Sequence, residues 1–444
     1  MNVYARPPRT LAEEALSRAY TDARLTLPGN GAVQAKRDAW FKQFEARGLP
    51  HRRIEQWKYT DLRAFMHDAK PLASLPDAAA KDSAAHAGAA FSSTDARRLV
   101  FSGGSFVPEL SDIAGLETGL SITPMSEALA RGDADVMTRL SAESPAGNDP
   151  AFCLNSTFMS DGAVITVAPC ANIARPIHLV FVAPGDQATA MFTRSLVTLG
   201  ERASLTVFET HEGPNGIDYQ ESSAFDVVLD EEAVLNRVRI GAEGSKALHV
   251  ATCIAALGKS AELHDSVLTT GGALIRNQMF VRCDGEGSKI DLSGASLLAG
   301  TQHADTTLVI DHAVGGCESR ELFKSILDGE ARSVFQGKII VRKDAQKTDG
   351  RMMTQALLLS EDAEADAKPE LEIFADDVQC GHGATTGELD ETLKFYLMAR
   401  GIPAQEAEAM LIESFVGEVI DTIAHEGARA AVHAAMMAKL QARG

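Results

Sequence analysis

A thiol and an imidazole two residues apart, in Cys380–Gly381–His382–Gly383, have the clearest capacity for chemistry in this chain. On an extended segment, positions i and i+2 point to the same side. The flanking glycines permit tight turns and close backbone approach. A neighbouring histidine can stabilise a thiolate, and thiolates bind iron and sulfur, so Cys380 and His382 are also the candidate metal ligands. A structural cysteine beside a turn histidine fits the same pattern, and the residues alone leave both readings open. A second group, His303, Asp305, Asp311, His312 and Cys317, surrounds the run Thr306–Ile310. Imidazole, carboxylate and thiolate all ligate transition metals. Alternate residues of a strand and its turns also face solvent, and that simpler reading is preferred. Gly258–Lys259–Ser260 ends like a phosphate-binding loop but lacks the glycines that let backbone N–H groups converge on phosphate. Asn155–Ser156–Thr157 matches a glycan acceptor, which is uninformative without a secretory signal.

The elements that must position these groups fall into three regions. Residues 1–148 mix helical segments with polar linkers. Trp40, Phe41 and Phe44 recur at helical spacing within Ala32–Arg47, and Gly48–Leu49–Pro50 ends that helix. Leu72–Ser93, rich in Ala, Ser and Asp, reads as a loose linker or weak helix. Residues 149–386 carry short β-type runs such as Ala163–Val167, His178–Val182, Ser204–Phe208, Phe225–Leu229 and Lys338–Val341. Residues 387–444 form a helical domain, with one amphipathic helix before Gly401–Ile402–Pro403, a second after it, and an Ala-rich tail.

A degenerate repeat runs through the middle region: an apolar residue or Cys, a polar turn, then a small residue at the fifth position. Copies begin at Leu199, Leu229, Leu257, Cys283, Leu327 and Leu359, mostly 26 to 32 residues apart, with one longer gap after Cys283. A period of that size signals stacked coils, in which each coil covers the open edge of the next. The small fifth residue lets successive corners stack closely. The expectation is a mainly β protein, a parallel β-helix over 149–386 between helical end regions. A β-sandwich does not require a repeated corner. The terminal helices can cap the last coil or present a groove to a partner.

Composition narrows the function classes. A formal charge of -19 repels phosphate backbones and anionic lipid, which disfavours nucleic-acid and membrane-surface roles. No run approaches the roughly 20 apolar residues needed to span a bilayer, and Met1–Arg9 holds no apolar signal core, so the chain reads as cytoplasmic. The six cysteines are scattered without a Cys-x-x-Cys pair, as expected for reduced, buried thiols rather than a preassembled site.

Asp376–Gly387, which holds Cys380–Gly381–His382–Gly383–Ala384–Thr385, resembles the Cys-x-His-Gly-Ala-Thr segment of the SufD family. Glu55–Gln56–Trp57–Lys58–Tyr59–Thr60–Asp61–Leu62 resembles that family's Trp-Lys-Tyr-Thr segment. Phe106–Val107–Pro108, Phe335–Ile339, Ala345–Asp349, Leu357–Ser360, Phe395–Tyr396–Leu397 and Arg400–Gly401–Ile402 are similar to it as well. The resemblance implies a right-handed parallel β-helix and a scaffold subunit of the SUF iron–sulfur cluster assembly complex, not an enzyme. It implies a SufB-like paralogue meeting the Cys380–His382 end, and a SufC-like ABC ATPase docking on the C-terminal helices through Phe395, Tyr396, Leu397, Met410, Leu411 and Phe415. It implies no stably bound cofactor, a transient Fe–S cluster at the subunit interface, and leaves flavin binding and a homodimer of the isolated subunit open. A SufB-type chain would carry Cys at Ala356 and Glu at Gly383; both departures favour SufD, and the missing cysteine suggests that the chief thiolate comes from SufB. The other classes weighed are a polysaccharide-active β-helix enzyme, disfavoured by acidity, and a stand-alone metal-binding protein.

Overall fold

The computed structural model describes residues 8–185 and 187–442. Its centre is a parallel β-solenoid of about eight turns, built from two facing sheets. Strands alternate between the sheets along the chain. One sheet stacks ten strands, ending with Glu262–Thr269, Lys289–Leu298, Glu318–Leu327, Asp349–Leu358 and Gln379–Glu388. The other stacks nine, ending with Leu248–Leu257, Leu274–Cys283, His303–His312, Arg332–Val341 and Glu364–Ile373. Each coil pairs in register with the next, so equivalent side chains form columns.

The turns explain the repeat. At one corner a residue of left-handed conformation recurs in every coil: Arg202, Glu232, Ser260, Gly287, Gly316 and Lys347 all have φ between 52° and 72°. Each donates its N–H to a carbonyl of the next coil, as in Arg202 to Glu231 (2.8 Å), Glu232 to Lys259 (2.8 Å) and Ser260 to Glu286 (2.8 Å). The corner thus satisfies its own polar backbone while stacking. Ala203, Ala233 and Ala261 are buried beneath it. The copies at Leu327 and Leu359 lie at the opposite corner, where Ala331 and Ala363 form a separate cluster with Leu298 and Ala304. The long gap after Cys283 is therefore a change of corner.

The strands expected from apolar runs are present, but several are about twice as long. Gln220–Leu229 extends the run seen from Phe225, and Arg332–Val341 that seen from Lys338. One half of the interior is apolar, holding Leu199, Leu229, Leu257, Val207 and Leu235. The other half is polar. His211 there donates to Glu221 (2.6 Å) and Glu209 (2.6 Å), while Arg237 pairs with Glu209 (2.9 Å) and Asp265 (2.8 Å). Burial opposes the charge on His211, but its two carboxylate partners outweigh burial and hold it up at about 9.

Helices cover the flanks. Gly31–Arg47 begins at Asn30, whose side chain accepts from Ala32 and Val33, and ends at Gly48 (φ 75°). Leu72–Ser93 holds the helix Ala78–His86. The Trp-Lys-Tyr-Thr segment fastens this region to the nine-stranded sheet. The Arg276 guanidinium lies 3.8 Å from the Trp57 ring centroid, and the indole donates to Asp149 (2.7 Å). Within the region expected to mix helical segments with polar linkers, Arg97–Ser102 already joins the ten-stranded sheet in parallel with Ile177–Val182. The Ala-rich tail is a third C-terminal helix, Glu426–Gln441.

Candidate functional site

Gln379–Glu388 and Glu364–Ile373 are the last strands of their sheets, and each pairs on one side only. The C-terminal helices do not cap them, in contrast to one of the roles expected. Ala404–Ile420 and Glu426–Gln441 instead lie along the outer flank of the ten-stranded sheet. There Ile412, Val416, Ile420, Val432 and Met436 pack on Phe208, Val238, Ile240 and Ile326. That flank is apolar outward, so the helices are held where they remove most apolar surface from water.

Backbone direction decides what the open edge offers. The Gln379 N–H donates inward to Thr348 (2.8 Å). Alternation then turns the N–H groups of Cys380, His382, Ala384 and Thr386 outward. In the other terminal strand Phe374 donates inward to Val341 (2.9 Å), so Pro369, five residues earlier, faces outward where it has no N–H to offer. Proline blunts that edge; nothing blunts Gln379–Glu388.

Cys380 and His382 share one side of this strand, as expected. Cys380 is half-buried against the apolar core, and His382, in register with buried Met352, is exposed at the open end. Burial pushes the Cys380 thiol up, and Asp349 and Glu321 add to it. Two coils beneath His382 lies Glu321, reached through Met352 in the register. It is 2% exposed, and neither carboxyl oxygen makes a hydrogen bond of good geometry among the described residues, although the nearby Ser319 hydroxyl partly offsets the effect of burial. Burial pushes it up to about 8.

The residues expected to dock an ATPase separate into two groups. Phe395 (71% exposed), Tyr396 (54%) and Met410 (42%) face solvent, joined by Leu393 and Met398. Leu397 and Leu411 are half-buried. Phe415 points inward against the flank, where the Lys324 ammonium lies 4.6 Å from its ring centroid. The short helix Glu391–Met398 buries none of its residues.

The His303–Cys317 group divides as well. His303 and Asp305 both bond the Thr60 hydroxyl, which is a structural role for two of its members. Asp311 pairs with Arg342 (2.8 Å) at the surface. His312 and Cys317 instead meet Cys283, which sequence reasoning did not join to them; the signal was the corner copy that begins with Cys283 where the others begin with Leu. Lys259 pairs with Glu231 (2.6 Å) on an exposed corner, and Asn155 is buried, donating to Thr193 (3.0 Å).

A two-sheeted parallel β-solenoid with an unpaired terminal edge and helices along its flank is the class that fold and site define. The family model for the SUF system FeS cluster assembly SufBD core domain matches residues 181–415, and that for the SufBD protein N-terminal region matches 13–179. The chain belongs to the SufBD family of iron–sulfur cluster assembly proteins and is SufD-like. It is 31% identical over 391 residues to a SufBD family protein of Synechocystis, covering 84% of each chain. It is 30% identical over 383 residues to the iron–sulfur cluster assembly protein SufD of Escherichia coli, covering 86% of each. A SufBD family protein of Mycobacterium tuberculosis is 28% identical over 401 residues, covering 88% of this chain and 90% of its own. Among the described residues no helix is long and apolar enough to cross a membrane.

Proposed function

We propose that this chain is a non-catalytic scaffold subunit of a SUF assembly complex. It pairs with a SufB-like paralogue through Gln379–Glu388 and docks a SufC-like ABC ATPase on its first two C-terminal helices. The nascent Fe–S cluster is cargo at the paired edge, beside Cys380 and His382. The observation that carries the reading is the unblunted edge, since a ten-residue strand with outward N–H groups is a template for a strand of another chain. The exposed Phe395, Tyr396 and Met410 support the ATPase contact, because apolar side chains grouped on an exposed helical surface mark an interaction site. A second copy of this chain can occupy the same edge when the paralogue is absent.

The test is co-expression with a SufB-like and a SufC-like protein, followed by native mass measurement. A complex holding all three chains is expected. A chain that copurifies with neither would sink the proposal.

A further inference from the structure

The corner beneath the apolar half of the core is built from two columns. One runs Leu199, Leu229, Leu257, Cys283, His312, Val341 along the ends of the nine-stranded sheet. The other comprises the residues preceding each strand of the ten-stranded sheet: Ala203, Ala233, Ala261, Ser288, Cys317, Thr348. Three coils fill both columns with Leu and Ala. The next two replace them with Cys283, Ser288, His312 and Cys317, all buried. Placing four polar or polarisable side chains into an apolar stack is costly unless they satisfy one another or hold something.

Ser288 donates to Gly285 (2.5 Å) and Gly258 (3.1 Å), and the Cys317 thiol lies 3.5 Å from the Gly285 carbonyl. The near nitrogen of His312, however, meets only cysteine sulfur among the described residues, and the three ligand-type atoms converge. The Cys283 and Cys317 sulfurs and one nitrogen of His312 all lie within 4.8 Å of one another. Cys283 Sγ stands 3.9 Å from His312 Nδ1, while His312 Nε2 lies 3.1 Å from Ser319 Oγ. Tetrahedral zinc, with Zn–S near 2.3 Å and Zn–N near 2.0 Å, sets neighbouring ligand atoms about 3.5–3.8 Å apart. A hydroxyl bonded to the far nitrogen orients an imidazole and leaves the near nitrogen free to ligate. The other compact cluster, His211, Glu221 and His249, differs. Each of its ring nitrogens already meets a carboxylate or hydroxyl, at 2.6 to 2.8 Å, so it is a closed hydrogen-bond network.

We propose that Cys283, His312 and Cys317 form an internal site for one divalent cation of the zinc type, with an oxygen donor in the fourth position. Two thiolates and an imidazole are the donor set that borderline-soft cations select. A bound cation ties together two successive coils at the corner. The site is independent of the scaffold reading, because it lies inside the stack and uses neither Cys380 nor His382.

The probe is Co2+ titrated into the full-length Cys170→Ser, Cys380→Ser chain, purified metal-free, so that exposed and open-end thiols do not contribute. The expected result is a thiolate-to-cobalt charge-transfer band that saturates at one equivalent and is displaced by Zn2+. His312→Ala should weaken binding at least about tenfold, and Cys283→Ser with Cys317→Ser should abolish the band. A parent chain without the band, or a double variant that keeps it, overturns the site. If circular dichroism shows the double variant unfolded, X-ray absorption on the zinc-loaded parent decides. Two sulfur ligands support the proposal, and an oxygen and nitrogen shell alone overturns it.

Discussion

The two ends of the solenoid are finished in opposite ways. At the first end each sheet is stopped by an antiparallel strand: the two-residue Ser105–Phe106 on one, and Leu120–Pro124, ending in proline, on the other. At the last end two ten-residue strands lack an outer neighbour, one blunted by Pro369 and the other, Gln379–Glu388, bare, with exposed Ile373 and Phe374 nearby. The interior follows the same division. Towards the first end the buried charges of Glu209, His211, Glu221, Arg237 and Asp265 are paired. Towards the last, Glu321 is buried without an ion pair among the described residues, and burial outweighs the nearby Ser319 hydroxyl. An edge protected at one end and open at the other fits the proposed continuation by another chain. On that reading the covered end carries stability, and the bare end holds groups that a partner would complete.

The largest effect is expected at the paired end. Arg237→Met leaves buried Asp265 without its ion pair and leaves Glu209 with His211 alone, and breaking such a group costs about 3–5 kcal/mol. The urea midpoint should fall accordingly; a loss below about 1 kcal/mol would show that the network is not what stabilises that half. The next effect is at Glu321 and depends on pH. Its folded value, about 8, lies above its ordinary 4.5. The folded state therefore binds more protons between those limits, and stability is full below 4.5 and falls as pH rises through 8. By pH 7 the loss is on the order of 3 kcal/mol. Glu321→Gln should match the parent at pH 4.5 and exceed it at pH 8. Parallel pH profiles for the two proteins would remove Glu321 from the comparison.

How much of this was legible in the sequence depends on what each column holds. The corner repeated visibly because Leu199, Leu229 and Leu257 with Ala203, Ala233 and Ala261 answer to one geometric demand. The two corners were merged because Leu327–Ala331 meets the same demand on the other side. Strand lengths were underestimated because the polar interior at Glu209, His211 and Glu221 removes the apolar alternation that marks a buried strand. The Cys380–His382 pair was legible as adjacent residues on one strand. The Cys283–His312–Cys317 cluster was not, because its members are 29 and 34 residues from the first and meet only through stacking. The helical tail gave the composition of a helix, but its position on the flank is set by Phe208, Val238 and Ile240, which face outward from strands far earlier in the chain.

Pairing at the bare end is broken by Ala384→Pro. That residue's N–H points away from the chain's own ladder, so proline is compatible with the fold but withholds a donor and obstructs an approaching strand. Affinity for a SufB-like partner should fall roughly a hundredfold, with the urea midpoint of the isolated chain nearly unchanged. An undiminished complex would place the interface elsewhere. A smaller loss, about tenfold, is expected for the ATPase with Phe395→Ser, because one exposed aromatic anchor is removed and the helix has no buried face to disturb. Deleting 388–444 is a poorer test, since it would uncover Phe208, Val238 and Ile240.

The smallest effect on fold and assembly is expected at His382, and there the comparison between the ends becomes chemical. His382 is exposed and makes no hydrogen bond or ion pair among the described residues. A structural histidine in this molecule looks different: His178 and His249 are buried and bonded through ring nitrogens. His382→Ala should therefore leave the urea midpoint within about 0.5 kcal/mol of the parent and the complex intact by gel filtration. Iron and acid-labile sulfide per complex, after anaerobic purification, should nevertheless fall strongly, because imidazole can ligate iron or stabilise a thiolate of the partner chain. Cys380→Ala should lower them less if the chief thiolate comes from the SufB-like partner, and burial of this thiol opposes its charged form. Normal iron and sulfide in an intact His382→Ala complex would make the bare end an interface without a chemical part in cluster formation.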